Sequence, residues 1–194
     1  ALPNGNTKLL GPDTAGITKN FRNRRAKLQH KGAKDALKQI KRKQSNRIKD
    51  INHKVSRTIV SLAQKHCCAI VLENLENISK GKVKRYVQKS QWSFYQLETF
   101  LKYKAALLGI PVHYVDARYT SQLCNKCGSI NKTSGKHYRC NCGHVAHRDL
   151  NAALNIKDRM IEQGVSCKLT PGLIDNSLNR TVAVAEPESS GGAR

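Results

Sequence analysis

Four cysteines in two close pairs limit what this chain can fold into more than any other feature. Cys124 and Cys127 enclose two residues, Cys140 and Cys142 enclose one, and each pair is followed by a glycine, Gly128 or Gly143. Tetrahedral thiolate coordination needs two such knuckles, because glycine lets the backbone turn tightly enough for its amides to approach the sulfurs. The segment between the pairs, with Ser134 and Gly135, fits a small hairpin. A ribbon of this kind has too little apolar content to fold without metal. Zn²⁺ in a structural role is the expected ion, and four cysteines leave no open position for catalysis. The second pair lacks the usual two-residue gap, so His137, His144 and His147 remain as substitute ligands. An iron–sulfur cluster, or free or disulfide-paired thiols, would also accommodate the four cysteines. Cys67, Cys68 and Cys167 lie away from the cluster.

Charge supplies the second constraint. Lysine and arginine number 35 against 13 acidic residues, a net charge of +22. Such an excess destabilises a compact chain by self-repulsion, and a polyanionic partner relieves it. Nucleic acid is the first candidate. A membrane is not expected, since no basic amphipathic helix with an aromatic face and no bilayer-length apolar run occurs. A purely RNA-packing protein remains a competing class. No signal-peptide pattern opens the chain, so a soluble intracellular protein is expected. Ala1 stands where a complete chain would carry Met, as in a fragment or a processed form.

Periodicity orders the rest. Residues 1–20 read as loop or as the edge of a truncation. A short helix over 21–30 and a long one over 34–66 follow, broken at Lys31-Gly32. In the long helix Leu37, Ile40, Ile48, Ile51, Val55, Ile59 and Leu62 recur at spacings of three and four, with Gln44 as the exception on that face. The opposite face is basic. Residues 67–75 read as a buried strand, 79–90 as a basic loop, 91–109 as a helix stopped by Gly109, and 111–115 as a second strand. The cysteine module fills 120–143, a last helix runs over 149–163 to Gly164, and 165–194 reads as a disordered tail. Strand, helix, strand, module, helix implies α/β packing around a βαβ unit. Nothing in the pattern fixes the oligomeric state.

Two carboxylates stand out. Glu73 ends an otherwise apolar strand, where a carboxylate is costly unless paired, metal-bound or exposed at the sheet end. Sites in open α/β sheets form beyond the carboxyl ends of strands. Asp149 opens a helix after an Arg, and its local sequence alone favours a plain N-cap or helix-dipole residue. Asp116, at the end of the second strand, gives no reason to be preferred. Two converging carboxylates suit Mg²⁺, whereas two-metal phosphodiester cleavage generally uses three or four.

Five segments then occur in a telling order: FRNRRAKLQHKG, IKDINHKVSRTIV, IVLENL, YTSQLCNKCG and RCNCGHVAHRDLNAALNI. Together, over about residues 20 to 157, they resemble the C-terminal half of the transposon-encoded TnpB (OrfB) family, relatives of type V CRISPR effectors. The resemblance implies an α/β, RNase H-like (RuvC-like) fold with long basic helices and an inserted zinc ribbon. It implies RNA-guided DNA cleavage, with DNA and a guide-type RNA as partners and Mg²⁺ as the catalytic ion. Of three family carboxylates, the second matches Glu73 and the third Asp149. The first belongs to an upstream D-x-G strand with no counterpart before residue 21, and Asp13 is a poor match. The family's N-terminal recognition domains have no counterpart either, and the C-x-C knuckle is tighter than the commoner C-x2-C. The expected fold is therefore an incomplete one, and the isolated chain is expected not to cleave. The implied organisation is a loop or truncated edge over 1–20, a partial RuvC-like domain over 21–119, a ribbon over 120–143, a final RuvC-like segment over 144–164 and a tail over 165–194. The nucleic-acid contacts expected are Arg22, Arg24, Arg25, Lys27, Lys38, Lys41, Arg42, Arg47, Lys82, Lys84 and Arg85, in a cytoplasmic, nucleoid-associated protein. The alternative function is a non-catalytic DNA- or RNA-binding zinc-ribbon protein.

Overall fold

The computed structural model describes residues 1–75, 84–132 and 135–164, and side chains from residue 93 onward in its third helix. The expected disordered tail, Cys167, Ser134 and Lys82 lie outside the described residues. So do the side chains of Lys84 and Arg85.

Helix formation begins earlier than the turn-rich opening suggests. Helix α1 spans Thr14–His30, with Asp13 at its N-cap position, so residues 14–20 are helical rather than loop. It ends where expected, at Gly32, whose φ of +65° lies in the left-handed region that favours glycine. Helix α2 spans Lys34–Lys65 without a break. Its polar interior positions are satisfied instead of exposed. The Asn52 amide donates to the Ser93 carbonyl and to Gln96 Oε1, both at 3.0 Å. Lys104 Nζ donates to the His53 carbonyl at 2.8 Å and to Ser56 Oγ at 2.6 Å. Gln44, the exception on the apolar stripe, accepts a hydrogen bond from Arg25 across the α1–α2 contact.

Strand β1 is Ile70–Asn74, shorter than the expected 67–75, because Cys67 takes φ +47° and turns the chain out of α2. Helix α3 spans Lys84–Leu107, so part of the expected basic loop is helical. Strand β2, Val112–Asp116, pairs parallel with β1, placing Glu73 opposite Val115 and Asn74 opposite Asp116. This β1–α3–β2 unit is the expected crossover. Its core joins Val60 and Ala63 of α2, Cys68, Ile70 of β1, Leu101 and Ala105 of α3, and Ile110.

The cysteine module holds an antiparallel pair, β3 (His137–Arg139) and β4 (Val145–His147). Among the described residues the paired hairpin closes around the second knuckle. An isolated Leu123–Ile130 bridge brackets the first knuckle. Helix α4, Arg148–Glu162, starts directly from β4 and ends before Gly164. Among the described residues no helix is long and apolar enough to cross a membrane.

Leu101 is 1 % exposed at the centre of the α2–α3–β1 core. Leu101→Ala is expected to lower unfolding free energy by about 3 kcal/mol in urea titrations, the usual cost of truncating a buried leucine.

Candidate functional site

The ribbon brings its four cysteines together. The sulfurs of Cys124, Cys127, Cys140 and Cys142 all lie within 4.8 Å of one another. Cys124 and Cys142 are 3.8 Å apart, Cys127 and Cys140 3.5 Å. Sulfurs placed tetrahedrally at about 2.3 Å from one zinc ion sit about 3.8 Å from each other, so this donor set fits a single Zn²⁺. It does not fit disulfides, whose sulfurs are about 2.05 Å apart. The histidines considered as substitute ligands have different surroundings. His137 is exposed on β3, the His144 ring lies against Tyr138, and His147 caps α4.

Backbone amides tune the thiols. Burial raises the Cys124 pKa, but the amides of Cys127 and Lys126 outweigh it and lower it. The Ser129 hydroxyl and amide bring Cys127 down to about 6. The His144 amide lowers Cys142, yet the neighbouring Cys140 and Cys127 thiols prevail and push it up to about 12. Among the described residues the ribbon has a small core, Cys124, Tyr138 and Cys140.

The ribbon is docked on α4 by two asparagines that periodicity alone marks as nothing special. Asn151 and Asn155 are 0 % and 3 % exposed, one helical turn apart on one face. Asn151 Nδ2 donates to the Leu123 carbonyl at 2.7 Å while its Oδ1 accepts from the Asn125 amide at 3.2 Å. Asn155 Nδ2 donates at 2.8 Å to both the Thr120 and Leu123 carbonyls. Asn125 also reaches Asp158 at 2.8 Å, and the Arg148 amide bonds the Lys136 carbonyl at 2.8 Å. At the far end Arg159 donates to the Asp116 carbonyl, tying α4 to β2.

The two carboxylates sit on elements joined by this dock, each with its own partners. Glu73, half-buried, accepts a hydrogen bond from Thr120 Oγ1 at 2.5 Å. Asp149 is exposed in the first turn of α4, 3.8 Å from Arg148 Nε and 4.0 Å from His147 Nδ1. It is not the N-cap: His147 holds that position, its Nδ1 accepting from the Asp149 amide at 3.3 Å. Asp149 lies about 9 Å of helix toward the N-terminus from Asn155, the residue that grips Thr120. Asp116 is occupied by a local turn, accepting from the Arg118 amide at 3.1 Å.

An open pocket of about 370 Å³ adjoins Glu73 and is lined also by Tyr95, Glu98, Lys102 and Tyr114; Asp149 is not part of it. Glu98 accepts from Tyr114 Oη at 2.7 Å and pairs with Lys102 at 2.9 Å. Burial opposes charge on Glu98, but the bonds from Tyr114 and Lys102 prevail and lower its pKa. The i,i+4 spacing of Glu98 and Lys102 is the sequence signal that could have found this pair.

The basic residues divide. Arg22, Arg24 and Lys27 of α1 and Lys38, Lys41, Arg42 and Arg47 of α2 are exposed, whereas Arg25 is half-buried against Gln44. Arg25 therefore serves the α1–α2 contact first.

A family model described as Cas12f1-like, TNB domain matches residues 94–156, which hold the ribbon and Asp149 but not Glu73. The CRISPR-associated endodeoxyribonuclease Cas12f1 of Sulfoacidibacillus thermotolerans is 36% identical over 138 residues, 66% of this chain and 32% of that protein. The TnpB-like protein MJ0751 of Methanocaldococcus jannaschii is 32% identical over 152 residues, 72% of this chain and 55% of that protein. The chain thus spans between about a third and about half the length of these relatives. A cryo-EM structure of a Cas12f1–sgRNA–target DNA complex superposes with a TM-score of 0.55 at 24% identity, over 74% of this chain and 41% of that one. At that identity it speaks for the fold alone.

The chain is expected to bind about one zinc, measured by elemental analysis, and Cys127→Ser to reduce this to near zero. Zinc is held by thiolates, so zinc added to zinc-free chain at pH 7 should release protons from the cysteines that are still protonated. Wild-type chain in weak buffer should acidify on zinc addition more than Cys142→Ser does.

Proposed function

The chain matches the TnpB–Cas12f family at the level of the family, and from that premise we propose that it is a nucleic-acid-binding part of a transposon-associated, RNA-guided DNA endonuclease. Its fold is the RNase H-like (RuvC-like) one, present here in part. Residues 21–119 and 144–164 form its body, with the ribbon over 120–143 inserted between them. DNA and a guide-type RNA are its partners, and a nucleoid-associated, cytoplasmic location follows from that reading.

The observation that carries the proposal is the placement of two carboxylates on elements clamped by one zinc ribbon. Glu73 offers Mg²⁺ the oxygen that Thr120 does not hold, and Asp149 offers an exposed carboxylate. Hard oxygen donors of this kind suit Mg²⁺. Glu73 and Asp149 would hold that ion, and the chemistry it would supply is polarisation of a phosphodiester and a lowered pKa of the attacking water. The chain's own residues fix the geometry around it. Thr120 donates to Glu73, His147 caps the first turn that carries Asp149, and the exposed cations of α1 and α2 hold the phosphate backbone. Lys82, Lys84 and Arg85 are further phosphate contacts in the proposal.

Glu73 and Asp149 are fewer carboxylates than two-metal cleavage generally uses, so the 194-residue chain by itself binds without cutting. Its binding is electrostatic. The affinity for duplex DNA should fall with salt, with a log–log slope steeper than about −3, because each neutralised phosphate releases a counterion. A double substitution Arg22→Ala/Arg42→Ala should flatten that slope, while Glu73→Gln should leave it unchanged. A slope near zero would remove the binding proposal. Mg²⁺-dependent DNA cleavage by the purified chain, lost in Glu73→Gln, would instead show a complete site.

A further inference from the structure

We infer that Thr120 is a positioning residue for Glu73, delivered to it by the fold of the zinc ribbon. The inference rests on the proposed role of Glu73 as a metal ligand. Thr120 is only 4 % exposed, in the turn that leads into the first cysteine knuckle. Its hydroxyl has one proton and two acceptors within reach, Glu73 Oε1 at 2.5 Å and the Ala117 carbonyl at 3.2 Å. The nearer acceptor, the Glu73 carboxylate, takes it. One carboxylate oxygen of Glu73 is thereby fixed and the other directed away from Thr120.

Three features hold Thr120 in this place. Tyr119, immediately before it, has φ +58°, a conformation that a bulky side chain rarely adopts. The amides of Gln122 and Leu123 both donate to the Tyr119 carbonyl, at 2.9 and 2.8 Å, and keep the turn closed. The Asn155 amide grips the Thr120 carbonyl from α4 at 2.8 Å and the Leu123 carbonyl beside Cys124. A continuous path of short contacts thus runs from the cysteine cluster through Leu123, Asn155 and Thr120 to Glu73. A threonine that only filled space would need neither the left-handed turn nor the second grip. The ribbon is in this way more than a stabilising appendage: it sets the direction of a carboxylate on a different element.

The test separates the hydroxyl from the methyl group. Thr120→Val keeps the shape and removes the hydrogen bond, and Thr120→Ser does the reverse. In chain labelled with ¹³C at glutamate carboxyl carbons, the signal assigned to Glu73 through Glu73→Gln should shift in Thr120→Val and return in Thr120→Ser. Mn²⁺ binding should weaken at least about fivefold in Thr120→Val, the effect of one lost hydrogen bond, and stay within about twofold in Thr120→Ser. Zinc content should remain at wild-type level in both variants. An unmoved carboxyl signal in zinc-replete Thr120→Val would overturn the inference, as would Thr120→Ser behaving like Thr120→Val. Equal Mn²⁺ binding by wild type and Glu73→Gln would remove the metal role of Glu73, leaving the carboxyl signal to decide on Thr120. Should Thr120→Val lose its zinc, the wild-type chain still decides: the Thr120 hydroxyl proton should be visible by NMR and protected from exchange, and free exchange would overturn the inference.

Discussion

Two buried asparagine amides decide how this molecule is put together. Asn151 and Asn155 face the ribbon from α4 and donate to the carbonyls of Thr120 and Leu123. A buried amide left without a partner costs about 1–3 kcal/mol, so undocking the ribbon would expose both groups to that loss or to rehydration. The ribbon cannot compensate from its own core, which is little more than Tyr138 and the cysteines. A metal ion on the four clustered sulfurs would hold the ribbon together, while the amides hold it to the body. Everything proposed for Glu73 and Asp149 follows from that docking. Thr120 meets Glu73 because its carbonyl is gripped from α4, and α4 begins where it does because β4 runs straight into it.

The α2–α3 contact follows the same rule, with polar groups satisfied between the two helices. Asn52, Ser56 and Lys104 join α2 to α3 through hydrogen bonds to backbone and side chain. Burial and the nearby Arg57 charge both lower the Lys104 pKa, while its two acceptors receive the ammonium. Exposed ion pairs such as Lys54–Asp50 and Lys38–Asp35 are of the kind that contributes about 0–1 kcal/mol, so they leave the positive field of α1 and α2 largely uncompensated. A surface of that charge suits a polyanion.

Much of this is legible in the sequence because it obeys short-range rules. The period of Ile48, Ile51, Val55 and Ile59 exposes α2, the glycines mark the helix ends, and the cysteine spacing foretells the sulfur cluster. What escapes is non-local. Asn52, Asn151 and Asn155 look like surface residues to any local pattern, since their partners lie far away in the chain. His147 reads as a spare ligand because its actual task, capping α4, depends on where a helix begins. Residues 84–90 read as a loop because their polar run carries no apolar period, and α3 nevertheless extends through them. Glu98 is hidden because its meaning lies in Tyr114, on the neighbouring strand.

The proposal at the centre is that the docked ribbon sets Glu73 and Asp149 to share one divalent ion. Titrating Mn²⁺ into ¹⁵N-labelled, zinc-loaded chain tests it most directly, because the bound ion broadens the amide signals of whatever surrounds it. The account predicts that signals flanking Glu73 and signals flanking Asp149 broaden together at the same low Mn²⁺ level, and that Asp149→Asn abolishes both effects. Broadening at one carboxylate without the other, or unchanged broadening around Glu73 in Asp149→Asn, would contradict it.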